Sequence, residues 1–442
     1  MKKFLLVFVS LIFLMARGGN AQILDEKVRQ MEDLLNKVQQ ELKDLKEEQK
    51  KQAEKVQETD VVKEEIRKLR LEVAIPEIEY RSYSGLGPAA SKIYYTPRGL
   101  SIGGYGEVTY ENFLDSTKSD KVDVQRFIPY FGYKFSDKIL MNAEVEFEHG
   151  GSEIFVEFVY LDFMIDPKFN VRPGLILMPI DRFNEYHEPT VFHGVLRPDV
   201  ERFIIPTTWR EIGVMAYGDL GGGFSYKTAL TNGLRTDKIK DWIRDARQRG
   251  VNANASRLAG IGRIEYSGIP GLNIGASVFY GQGESKGGGE ERGDERATFN
   301  LYVIEAQYQR GNAFFKGLYS LGRASGNDAF EKAGRAKQVY GWYLESGYNI
   351  FPHLLPESLM TLTPFARYER YNLNDRVFIG SPDKTKDREV FTIGLDFKPF
   401  PQIVIKADYQ IRDTKSSLSS GKGIGLDENK INQFNLGIGF IF

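Results

Sequence analysis

A chain of 442 residues with 59 basic and 60 acidic side chains has a formal net charge of −1, without the basic excess of a nucleic-acid binder. It has no cysteine, which excludes a disulfide scaffold, yet it holds 45 glycines, 23 tyrosines and 30 phenylalanines. Past its first residues it has no run of about 18 apolar residues, which excludes crossing a membrane as a helix.

Lys2 and Lys3 precede an apolar run from Phe4 to Met15, followed by the small residues Gly19 and Ala21. This predicts a secretory signal peptide over residues 1–21, cleaved after Ala21. Loss of Lys2, Lys3 and Arg17 with it leaves 56 basic against 60 acidic residues, a net of about −4.

Residues 22–75 read as a long helix. Leu24, Val28, Met31, Leu35, Val38, Leu42, Leu45, Gln49, Gln52 and Val56 alternate spacings of four and three. That spacing keeps one seam facing a partner and predicts a coiled coil. Its register slips near Thr59 and resumes at Val62, Ile66, Leu69 and Val73. Gln49 and Gln52 form polar layers of the kind that fix register or strand number. Pro76, Pro88 and Pro97, with Gly85 and Gly87, then predict a linker over residues 76–97.

From residue 98 to 442 the period becomes two. Sixteen strands are predicted: 100–111, 121–135, 138–149, 154–166, 168–180, 210–219, 223–233, 258–268, 271–282, 296–310, 312–323, 337–348, 358–371, 388–398, 401–413 and 431–442. Their lengths suit a tilted crossing of a bilayer. Short turns and long loops alternate between them, with exceptions at "GGSE" after the third strand and "IFPHLLPE" after the twelfth. In the last strand Phe434, Leu436, Ile438, Phe440 and Phe442 share one face, and Gln433, Asn435, Gly437 and Gly439 share the other. Lipid offers the backbone no hydrogen bonds, so such a sheet must close on itself with apolar side chains outward. The expected fold class is an all-β transmembrane, sixteen-stranded antiparallel outer-membrane β-barrel, preceded by an N-terminal α-helical coiled coil.

The stretch "SGLGPAASKIYYTPRGLSIGGYGEVTY", residues 84–110, resembles the linker and first strand of a bacterial outer-membrane porin group. That group includes the phosphate-selective porin O/P and the dicarboxylate porins that bear coiled coils. The resemblance implies passive diffusion of small hydrophilic solutes through a homotrimer, joined through the coiled coil and the barrel wall. It implies outer-membrane lipid around the barrel and the coiled coil in the periplasm. A closing strand ending in aromatics is similar to the signal read by outer-membrane assembly machinery.

Porins of this size are narrowed by a loop that folds into the lumen. The longest connection in the first half, residues 181–211, is the candidate, because Phe183, Tyr186, Phe192, Phe203 and Trp209 are many aromatics for a solvated tip. Within it Arg182, Arg197, Arg202 and Arg210 offer forked donors to carboxylate or phosphate, beside six acidic residues that can pair with them. Strand parity adds Arg126, Arg172, Lys406, Glu144 and Glu146 to the candidate constriction and solute contacts. Inward charges of both signs predict a field across the lumen rather than a ladder of basic residues. His187 and His193 stand six apart, a poor metal spacing, and no metal or cofactor is expected. Residues 236–250 read either as a short amphipathic helix presenting Trp242 and Ile243 or as a solvated loop. The four histidines, His149, His187, His193 and His353, lie in no recognisable nucleophile motif, so an enzyme is not expected. The alternative function is a secretion or assembly pore gated by the coiled coil and linker.

Overall fold

The computed structural model describes residues 81–114, 118–285, 295–356, 358–415 and 430–442, plus scattered positions between 29 and 47. Those scattered positions are all helical and exposed. The expected signal peptide and the seam of the coiled coil lie outside the described residues. The chain divides into two units, residues 1–78 and 79–442.

The second unit is a closed sheet of sixteen long antiparallel strands: β1 (Gly99–Leu114), β2 (Lys121–Ser136), β3 (Ile139–Glu148), β4 (Glu153–Asp166), β5 (Phe169–Leu177), β6 (Arg210–Gly221), β7 (Phe224–Asn232), β8 (Leu258–Tyr266), β9 (Leu272–Glu284), β10 (Arg296–Arg310), β11 (Ala313–Gly326), β12 (Ala336–Tyr348), β13 (Thr361–Val377), β14 (Asp387–Phe400), β15 (Ile403–Thr414) and β16 (Lys430–Ile441). Each strand pairs with its sequence neighbours, and β1 pairs with both β2 and β16, so no edge is left. Closure satisfies every ladder, as hydrocarbon demands. A two-residue stretch, Leu234–Arg235, adds a parallel bridge to the end of β9. Among the described residues no helix is long and apolar enough to cross a membrane; the strands do the crossing. All sixteen predicted strands are present, with ends displaced by a few residues.

Period-two sequence gives the wall two chemically distinct faces. Phe434, Leu436, Ile438, Phe440 and Phe442 are exposed on the outside, whereas Gln433 and Asn435 are buried in the lumen. There Gln433 donates to Glu111 Oε2 (2.8 Å) and Asn435 to Asp408 Oδ1 (2.6 Å). Phe442 exchanges backbone bonds with Gly104 and stacks on Phe127. With Phe135, Phe169, Phe224 and Phe400, each exposed near a short turn, and Tyr348 at the end of β12, it forms an aromatic girdle at one rim. The β6–β7 turn is tight enough to need left-handed backbone at Gly221, Gly222 and Gly223, which glycine adopts without a Cβ clash.

The predicted linker is corrected in part. Pro88–Tyr95 forms a helix, α1, packed on the lumen face of β1 to β3. Pro88 sits at its start, where its missing N–H costs nothing, and the extended Thr96 before Pro97 ends it. Reading the prolines only as breakers hid the starting signal that one of them carries. Asn142 Nδ2 donates to Ala90 O (2.9 Å), Tyr94 OH donates to Asp162 Oδ2 (2.6 Å), and Ile93 lies against Gly132.

Candidate functional site

The connection from β5 to β6 turns into the barrel. Asn184 holds its two ends together: Nδ2 donates to Met178 O (2.7 Å) and Trp209 O (2.9 Å), while Oδ1 accepts from Trp209 N (2.7 Å). Asp181 accepts from Asn184 N and caps the short turn Arg182–Glu185. Trp209 is fully buried against Phe279. The aromatic content of this segment therefore packs within the lumen.

Ties radiate from the segment to almost the whole circumference. Arg182 N donates to Glu305 on β10, Lys316 on β11 pairs with Glu201 (3.2 Å), and Tyr343 OH on β12 donates to Glu201. Tyr371 OH on β13 donates to Asp199, which also pairs with Arg412 on β15 at 2.6 Å. Burial raises the Asp199 carboxyl, but Arg412 and Arg202 outweigh it and hold that carboxyl below its ordinary range. Val195 N donates to Asp408, and Lys227 on β7 pairs with Glu185. On the other side Glu188 Oε1 accepts from Ala89 N (2.9 Å) and Ala90 N (3.1 Å), joining the segment to the start of α1. Burial pushes the Glu188 carboxyl up to about 7 against these two donors.

Two cavities flank the folded-in segment and share no lining residue. The inner vestibule, about 780 Å³, opens among the short turns. Its lining is balanced: Lys138, Arg182, Lys227, Arg263 and Lys316 against Asp137, Asp166, Asp219, Glu265 and Glu305. The outer vestibule, about 360 Å³, lies under the long loops and is lined, among the described residues, by ten lysines and arginines and four glutamates. Those glutamates are largely engaged: Glu107 and Glu146 with Arg126 (3.3 and 3.9 Å), and Glu111 with Lys121 (2.7 Å). Arg244 and Arg247 instead donate to the backbone carbonyls of Arg202 (2.9 Å) and Thr207 (2.8 Å). Burial, then the neighbouring Arg202, pushes Arg244 down to about 10, and burial with Arg249 and Arg244 lowers Arg247. Arginine keeps its proton in proteins, so these shifts report buried positive charge, first from desolvation and then from neighbouring guanidiniums, that an anion would relieve.

The predicted site residues separate into groups. Arg126, Arg197, Arg202, Arg210 and Glu146 line the outer vestibule, and Arg182 lines the inner one. Arg172 lines neither: it pairs with Asp162 (2.9 Å) between the rings of Tyr160 and Tyr217 and donates to Tyr94 OH, bracing α1. Lys406 donates to Gly194 O (3.1 Å) over the ring of Phe192 and braces the segment. Glu144 is fully buried beside His187. Residues 236–250 form two short turns, Thr236–Lys238 and Ile243–Ala246, rather than one helix. Trp242 and Ile243 are buried, which aims Arg244, Arg247 and Arg249 at the outer vestibule. Three arginines in six residues were the signal for them.

Glu157 escaped the alternation argument. Glu144 pairs with Phe158 and Val145 with Val156, so Glu157 is the extra residue of a β-bulge. The bulge buries Glu157 and Phe158 together on the lumen side. A carboxylate at a lipid-facing parity position was the signal for it.

Sixteen strands, one inward-folded segment and two polar vestibules define the fold of a porin-like outer-membrane channel. The chain belongs to one family with an uncharacterized protein of Aquifex aeolicus (strain VF5), 37% identical over 375 residues, covering 79% of this chain and 84% of that one. No family model matches. In fold it is similar to OmpT of Vibrio cholerae in a trimer form (TM-score 0.52, 12% identity, 78% of this chain and 100% of that one). It is also similar to the outer membrane channel DcaP of Acinetobacter baumannii (0.52, 13%, 78% and 97%) and to Salmonella typhi OmpF in complex with daunomycin (0.52, 13%, 79% and 99%).

Proposed function

We propose that the protein is an outer-membrane porin that admits small hydrophilic anions by passive diffusion, as a homotrimer. The excess of ten cationic over four anionic side chains around the outer vestibule carries the reading. A narrow, low-dielectric mouth of one sign concentrates solutes of the other and repels co-ions. Arg126, Arg197, Arg202, Arg210, Arg244, Arg247 and Arg412 are the proposed first contacts, with guanidinium forks suited to carboxylate or phosphate. The balanced inner vestibule then offers release rather than capture.

The trimer form solved for Vibrio cholerae OmpT and the regular helical spacing of residues 22–75 support the assembly. The resemblance to the porin O/P and dicarboxylate group is part of the same reading, with the coiled coil in the periplasm. A pore for macromolecules fits less well, because the folded-in segment crosses the lumen and α1 packs inside its wall at β1 to β3. Reversal potential across a planar bilayer in a potassium chloride gradient tests the proposal. Chloride preference is the expected result, and a cation-selective or silent barrel would overturn it.

A further inference from the structure

Glu144 on β3, Glu157 on β4 and His187 on the folded-in segment meet in the wall of the lumen, each at most 2% exposed. Both carboxylate oxygens of each glutamate and His187 Nε2 lack a hydrogen-bond partner. His187 Nδ1 lies 3.0 Å from Asn184 O, an arrangement that places its proton there and leaves Nε2 as a lone pair. That lone pair faces Glu144 Oε1 at 3.6 Å. With both carboxylates ionised these groups are all acceptors and cannot bond one another, and buried acceptors left unmatched are costly. Arg210 stands 3.6 Å from Glu157 Oε1, an ion pair too long for a hydrogen bond, so all four carboxylate oxygens stay without a donor. The hydroxyl of Tyr105, whose ring stands edge-on to His187, is buried without a partner as well.

From this we infer a divalent transition-metal site, with Glu144, Glu157 and His187 as ligands. One imidazole and two carboxylates suit ions of intermediate hardness such as Zn²⁺, Mn²⁺ or Fe²⁺. Two carboxylates balance a +2 ion, and Arg210 beside Glu157 leaves the cluster with one positive charge. Three donor atoms lie within 4.8 Å of one another. An ion with bonds of about 2.1 Å holds adjacent donors roughly 3.0–3.4 Å apart, close to the 3.6 Å already between His187 Nε2 and Glu144 Oε1, so binding needs only a small inward movement. Two features prepare the site: the bulge that turns Glu157 inward, and the Asn184 carbonyl that orients the imidazole as outer-shell partners of metal ligands do. The ion ties the folded-in segment to β3 and β4, one residue before Glu188 reaches α1. This inference stands whether or not the channel prefers anions.

The test uses the full folded barrel, stripped with EDTA and titrated with Zn²⁺ by calorimetry, with Mn²⁺ followed by electron paramagnetic resonance. One ion per chain is expected, weakened at least about 100-fold by Glu157→Gln and by His187→Asn and unchanged by His353→Asn. X-ray absorption of the zinc form should show one imidazole nitrogen among oxygens. Heat-dependent gel mobility checks folding; if His187→Asn does not fold, Glu144→Gln replaces it, since that change removes no hydrogen bond. No stoichiometric binding, or binding undiminished in the folded Gln variants, overturns the site.

Discussion

Glu188 is the joint between the folded-in segment and α1, and removing it is a decisive perturbation. Glu188→Ala leaves the backbone N–H groups of Ala89 and Ala90 buried without an acceptor. A buried donor left unsatisfied costs about 1–3 kcal/mol, so the pair costs roughly 2–6 kcal/mol of α1 docking. Even about 2 kcal/mol raises the undocked fraction roughly 30-fold. The natural chain has no cysteine, so an Ala90→Cys background reports docking through its rate of maleimide modification. Ala90 is buried, and labelling should be slow until Glu188→Ala is added, then at least about tenfold faster. Glu188→Gln keeps an acceptor while removing a carboxylate that burial disfavours, so it should label no faster than the parent. Equal rates for all three proteins would refute the reasoning.

Gly132→Val should also displace α1, because a Cβ at Gly132 would lie 2.6 Å from Ile93 Cβ; faster labelling of Ala90→Cys, with strand content unchanged by circular dichroism, is the expected pair of results. Arg197→Glu combined with Arg244→Glu changes the outer vestibule from ten cations and four anions to eight and six, and the reversal potential should move toward cation preference. Asp199 has a depressed carboxyl pKa, so its stabilisation is complete above the ordinary value of 3.8 and is lost only as pH falls through the lower folded value. The difference in melting temperature between the parent and Asp199→Asn should therefore hold steady from pH 8 to about 5 and shrink below about 4.

The barrel was legible because its signal is repeated. A period of two over sixteen strands, with turns of alternating length, admits few other architectures. The inward fold of residues 181–211 was legible from Phe183, Phe192 and Trp209, which need a buried home. The ion pairs were not: Asp199 meets Arg412, and Arg367 takes Glu345 and Glu369, through strand register and a loop path that no local pattern states. The grouping of Glu144, Glu157 and His187 was hidden for a related reason. A bulge shifts parity by one residue, and a histidine's partners across a barrel leave no trace in its spacing from the next histidine. Helix α1 was hidden by its flanking prolines, which read as a linker until the lumen supplies a surface for Ile93 and Tyr94.

Alternation of lipid and lumen along the wall underlies the whole account, and it is directly measurable in β16. Single cysteines at positions 433 to 440, each carrying a nitroxide in the reconstituted barrel, can be relaxed by oxygen from the bilayer and by a nickel chelate from water. Labels at Phe434, Leu436, Ile438 and Phe440 should be oxygen-accessible, and those at Gln433, Asn435, Gly437 and Gly439 should not, giving a period of two. Uniform access to the nickel chelate, or a period near 3.6, would contradict the barrel and with it the channel.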